Sequence, residues 1–277
     1  MGYAHRLSFQ ECSMTSTTLE QVGSELADHF EGSRSTVLQT ALINLPELSD
    51  VSRPLELASI LSGTRAGRIY LIFVGSTEPR RELAQVDELV GAMRLIRALE
   101  ASGVRVLVGF SSSDVLLWKT AGASSCASGK FFNLRRFTRQ RFEEPQATGG
   151  GQLPYWFEES LLAFLRQGDL IRVRKANLLS EASQRNPFCQ QILGALDEAA
   201  RSRATPTAWL GVSWRQFLYW FSDVESRIHE NASEAEALLR NADGNWSRLD
   251  AAKVLFEERF NTGVWIRVWL NAMNDFL

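Results

Sequence analysis

The chain has 277 residues, 45% hydrophobic and 22% charged, with a formal net charge of −2. This balance excludes a largely disordered chain and gives no global pull toward nucleic acid or an acidic membrane. Cys12, Cys126 and Cys189 form no C-x-x-C pair, and His5, His29 and His229 are dispersed, which argues against a disulfide scaffold and a structural metal site.

In chain order, Leu19, Val22, Leu26 and Phe30 recur at helical spacing and predict an amphipathic helix over 17–30. Residues 36–45 read as a strand stopped by Pro46, and a short helix over 53–61 follows with Pro54 in its first turn. Residues 68–75 are almost continuously apolar, as a strand buried on both faces should be. The loop from Ser76 to Pro79 leads into a long helix whose inner face carries Leu83, Val86, Leu89, Met93 and Ile96, with Gly103 as its C-cap. A second buried strand is expected over 104–110 and a helix over 114–120. Residues 124–128 read as a fourth strand of small residues. Strand–helix units of this length imply parallel strands. The fold class is therefore α/β, as a partial TIM-barrel-like sheet or an open doubly wound one. A barrel of four units would be half of one, a dimer of halves, or a chain missing an N-terminal part.

Lys130 to Glu144 interleaves Arg135, Arg136, Arg139 and Arg141 with Phe131, Phe132, Phe137 and Phe142. Gly149, Gly150 and Gly151 then form a joint, predicting an α/β domain over 1–148 and a mostly helical domain over 152–277. Seven of the eight tryptophans lie beyond the joint. There, helices are expected over 154–166, 187–201, 214–229, 234–242, 249–260 and 264–276, with a strand over 169–174. No apolar run is long enough to span a bilayer, and residues 1–10 lack the apolar core of a signal peptide, so a cytoplasmic protein without membrane association is expected.

Two turns attract attention as anion sites. Ser111, Ser112 and Ser113 follow a buried strand and precede a helix, where free amides and hydroxyls can meet a phosphate. Ser128-Gly129-Lys130 offers close backbone approach and a point charge. It is not a Walker A loop, because Ser124 stands where glycine is required and Phe131 where serine or threonine is required. Arg135 and Arg136 could add bidentate donors, or the arginine–aromatic stretch could grip nucleic acid. Glu158 and Glu159, adjacent on a helix, would diverge by about 100° and make a poor catalytic dyad. Cys126, among small residues, reads as a buried structural thiol. Over 106–126 the chain resembles the closing strand–helix–strand units of base-exchanging tRNA-modifying barrels, without their zinc-ligand cysteine cluster.

The leading expectation is a phosphate site built from Ser111, Ser112, Ser113, Lys130, Arg135 and Arg136, for a nucleotide, sugar phosphate or nucleic acid. The alternative is a non-catalytic scaffold or subunit that binds a protein partner through the tryptophan-rich half. No catalytic residue, cofactor or metal is assigned.

Overall fold

The computed structural model describes residues 38–63, 67–75, 77, 81–129, 135–137, 154–202, 209–229, 231–257 and 262–277, with positions 14, 18, 21–23, 25, 28 and 29. Those scattered early positions are helical, as the spacing over 17–30 predicts. Lys130, most of the arginine–phenylalanine stretch and the glycine joint lie outside the described residues.

Strands β1 (Gln39–Asn44), β2 (Arg68–Val74), β3 (Arg105–Val108) and β4 (Ser125–Cys126) form one parallel sheet in the order β1-β2-β3-β4. Each crossover carries a helix: α1 (Arg53–Ser62), α2 (Val86–Ala101) and α3 (Val115–Thr120). Pro54 opens α1, where its missing N–H costs nothing. Gly103 turns the chain out of α2 with a φ of 86°, a conformation glycine adopts without strain. β2 is buried on both faces. Ile69, Leu71 and Phe73 join the main core, while Ile72 and Val74 pack on the other face with Phe137, Tyr70 and Phe110. At the sheet edge, β1 buries Ala41 and Ile43 but leaves Leu42 exposed. Among the described residues the sheet is open, and no closed barrel is present. Among the described strands its order also runs without reversal, with no switch point of the kind that opens a crevice in doubly wound sheets.

Beyond residue 153, three expectations are corrected. Residues 154–166 are not a helix but an antiparallel hairpin, β5 (Trp156–Glu158) with β6 (Ala163–Leu165), reversed through Leu162 at a φ of 52°. Trp156, Phe157 and Phe164 suit a pleated surface, and their spacing fits a helix equally well. Residues 169–174 are not a strand but part of α4 (Gln167–Lys175). Its Asp169 lies in the first turn and Arg172, Arg174 and Lys175 in the last, matching the helix dipole. α5 (Glu181–Arg185), α6 (Cys189–Ser202), α7 (Leu210–Arg227), α8 (Ala232–Ala251) and α9 (Val264–Phe276) follow. Of the helix expected over 249–260, residues 249–251 are the end of α8, Lys253 follows with a φ of 53°, residues 254–257 are not helical, and 258–260 lie outside the described residues.

One hydrophobic core runs from Ala41 to Phe276. Helix α9 packs on α2, and α7 on α3. Trp209, Trp220, Trp246, Trp265 and Trp269 are all buried in this core. Trp269 donates from Nε1 to the Leu83 carbonyl at 2.7 Å, joining the last helix to the loop before α2. No helix among the described residues is long and apolar enough to cross a membrane.

Candidate functional site

The structure brings five of the six sequence-predicted residues together at the carboxyl end of the sheet; the sixth, Lys130, lies outside the described residues. The chain leaves β3 at Gly109, where any Cβ would collide with the Tyr70 ring. Ser111, Ser112 and Ser113 then lie fully buried. The Ser111 hydroxyl donates to the Val108 carbonyl at 3.3 Å and that of Ser113 to the Leu162 carbonyl at 2.9 Å. The Ser112 amide donates to Asp114 Oδ1 at 2.6 Å.

Residues 135–137 cross this rim. Phe137 bridges to Val74 in parallel and meets Phe110 edge-on at 5.4 Å. Arg135 is 2% exposed and Arg136 5%. Arg135 Nη1 pairs with Glu82 Oε1 and donates to the Ser112 hydroxyl at 3.2 Å, and its guanidinium lies 4.5 Å from the Phe164 ring centre. Arg136 reaches Glu82 Oε2 at 3.2 Å and Asp114 Oδ2 at 3.7 Å. Among the described residues two guanidiniums thus face two carboxylates, and their formal charges cancel. The cavity beside it, between Phe110, Asp114, Trp118 and Arg136, measures about 10 Å³, room for about one water. Most of the donors that would hold a phosphate here are engaged within the chain, although the buried Arg136 Nε makes no hydrogen bond to a described residue.

Burial pushes the Asp114 carboxyl up to about 6, against the pull of Arg136 and the Ser112 amide. Burial likewise lowers the Arg136 guanidinium. Folded Asp114 keeps its proton to about pH 6, whereas an unfolded one releases it near 3.8. Between those values the folded state binds more protons, so stability falls as pH rises. Asp114 accounts for a loss of about 3 kcal/mol at most. Glu159, raised to about 7 by burial and by Glu158 and Asp223, acts in the same direction. Asp197, held low by Arg174, acts only below this window. The melting temperature is therefore expected to fall between pH 4 and pH 7, and Asp114→Asn to flatten much of the slope. A melting temperature that climbs over that range contradicts the assignment.

The open volume lies at the opposite end of the sheet. A cleft of about 770 Å³ is enclosed by the ends of α2, α3 and α7 and the start of β3 and β4. Arg97, Arg105, Lys119 and His229 line it, with Ser124, Ser125 and Ser226 between them. Its two carboxylates serve internal donors. Glu100 accepts from the amides of Val106 at 2.8 Å and Ser124 at 2.7 Å, and from the Ser124 hydroxyl at 3.0 Å. Glu225 accepts from Lys119 Nζ at 3.4 Å and the Cys126 amide at 3.1 Å. Arg97 stacks 3.9 Å from the Phe276 ring centre and donates to the Thr120 carbonyl at 3.5 Å. Arg105 and His229 are exposed at the margin. Basic side chains near helix C-termini are stabilising in their own right. Here they also surround a volume large enough for a ligand.

Sequence reasoning missed Glu82 as the partner of Arg135, 53 residues away, and missed the cleft altogether. The signal for the cleft is charge gathered at helix-to-strand turns: Arg97, Glu100 and Arg105 flank one such turn, and Lys119 precedes the next. Glu158 and Glu159 lie at the end of β5 and in the following turn, not on a helix. Burial pushes the Cys126 thiol up, and that of Cys189 up to about 12, so both stay protonated at neutral pH. Among the described residues no group of three His, Cys, Asp or Glu side chains could hold a metal ion. Compared with known proteins, the chain matches no family model, no curated protein and no solved structure.

Proposed function

We propose that this protein binds a small phosphate-bearing molecule, a nucleotide or sugar phosphate, in the cleft at the amino end of the sheet. The observation that carries this reading is an open volume of about 770 Å³ lined by Arg97, Arg105 and His229, beside Lys119 paired with Glu225; among the described residues its other carboxylate, Glu100, is spent on backbone and hydroxyl donors. A cleft of that size falls within the range of about 300–1,000 Å³ usual for small-molecule sites. Arg105 supplies a planar donor fork for a phosphate, Arg97 a second cation braced by Phe276, and Ser125 and Ser226 hydroxyls. The phosphate class is the one expected from the sequence; the position is not. At the carboxyl rim, Ser112, Arg135 and Arg136 already face Glu82 and Asp114. The scaffold reading has less support, because the tryptophans that would form its docking surface are mostly core. The nucleic-acid reading rested partly on Arg135 and Arg136, which are buried in ion pairs.

Isothermal titration with inorganic phosphate, a nucleoside diphosphate and a hexose phosphate tests the reading. At least one is expected to bind, more weakly as salt rises. Arg105→Glu is expected to lower affinity at least tenfold without changing the melting temperature of the free protein, since the residue is exposed. Absence of binding by all three, or equal binding by Arg105→Glu, overturns it.

A further inference from the structure

A second cavity, of about 330 Å³, lies among the β5–β6 turn, the loop before α5 and one side of α8. Its polar lining is Ser160, Asn177, Ser180, Asn241, Asn245 and Arg248. Leu161, Leu178, Leu179 and Leu249 supply the apolar part. Among the described residues Glu181 is the one carboxylate in the lining and Arg248 the one cation, so their formal charges cancel.

The walls are held by an unusual group. Glu158 is 0% exposed and, among the described residues, forms no ion pair. Its Oε2 accepts from Trp156 Nε1 at 2.9 Å. Its Oε1 accepts from the Ser160 hydroxyl at 2.7 Å, the Ser183 hydroxyl at 2.9 Å, the Ser180 amide at 3.3 Å and the Ser160 amide at 3.4 Å. Burial raises this carboxyl against the pull of the Ser160, Trp156 and Ser183 side chains and the Ser180 amide. A buried carboxylate without a cation is a costly way to fasten two loops. Departures of that kind concentrate where a chain needs fixed geometry for a ligand. The third wall is tied in as well, since Asn245 Nδ2 donates to the Ser160 carbonyl at 3.1 Å. The Asn177 side chain, by contrast, makes no hydrogen bond to a described residue and stands at the cavity with the Asn241 amide.

We propose that this cavity binds a neutral polyhydroxylated molecule, a monosaccharide or the sugar ring of a glycoside. Asparagine amides and serine hydroxyls each donate and accept, which matches hydroxyl groups that do both. The cancelling charges give a free phosphate no preference. Among the described residues no aromatic ring lines the cavity, so a flat base has nothing there to stack on, whereas the leucines can cover the C–H face of a sugar. Glu158 is a positioning residue that fixes the two loops without reaching the ligand.

Saturation-transfer NMR with glucose, galactose and ribose, and with inorganic phosphate as the control, tests this on the full chain. One sugar is expected to bind saturably in the millimolar range. Asn177→Gly keeps the left-handed backbone, φ 56°, while removing the amide, and Asn241→Ala changes an exposed helix position. Each is expected to weaken sugar binding at least fivefold at unchanged melting temperature. Arg105→Glu, in the other cleft, is expected to leave sugar binding as it is. No saturable sugar signal, or wild-type binding by both asparagine variants, overturns the proposal.

Discussion

Replacing Arg135 by alanine is expected to destabilise the protein by about 3–5 kcal/mol, the usual effect of removing one partner from a buried ion pair. The change strips Glu82, itself 7% exposed on its side chain, of a guanidinium and, among the described residues, leaves Arg136 as the one buried cation facing two carboxylates. It also takes a donor from the Ser112 hydroxyl and the guanidinium from over Phe164. Chemical denaturation of Arg135→Ala beside the double variant Arg135→Met, Glu82→Gln reads the effect. The double variant keeps the remaining cluster neutral, with Arg136 against Asp114, and is expected to recover most of the loss. A loss below about 1 kcal/mol for Arg135→Ala would mean that the cluster behaves like a solvated surface network.

Trp269→Ala is expected to cost about 3–5 kcal/mol as well, through the cavity left by a large buried side chain. The ring is 0% exposed, meets Trp265 at 4.5 Å, and holds the Leu83 carbonyl through its N–H. Because Leu83 neighbours Glu82, the loss is expected to spread into the charged cluster, and Trp269→Ala and Arg135→Ala to couple rather than add. Calorimetry is expected to show one transition moved to lower temperature. Two separated transitions, with the sheet half melting as in the wild type, would contradict a single core running through both halves.

Much of the architecture is legible in the sequence where one physical cause dominates. The apolar run of β2 announces a strand covered on both sides, Gly103 marks a reversal, and the helix expected over 264–276 is α9, Val264–Phe276. Legibility fails where two periods fit the same residues. Trp156, Phe157, Leu161 and Phe164 satisfy a helical stripe, yet in space Phe157 pairs with Phe164 across a tight turn. In α4 the alternation of Ile171, Arg172, Val173 and Arg174 looks like a strand, while the order of charges along the segment carries the helical signal. The site shows the same limit. That residues 111–113 stand at the carboxyl end of a strand follows from the sequence. Which distant carboxylates fill the space above them does not, because it depends on strand order and on where residues 135–137 cross the sheet.

We propose that anions enter at the amino end of this sheet, while Glu82, Asp114, Arg135 and Arg136 close its carboxyl rim. Anomalous diffraction from crystals soaked in tungstate, a heavy analogue of phosphate, locates the bound anion directly. The account predicts a peak in the cleft within hydrogen-bonding distance of Arg105, absent from Arg105→Glu crystals. A peak beside Ser112 and Arg136 in place of the Glu82 carboxylate, with the cleft empty, would contradict it.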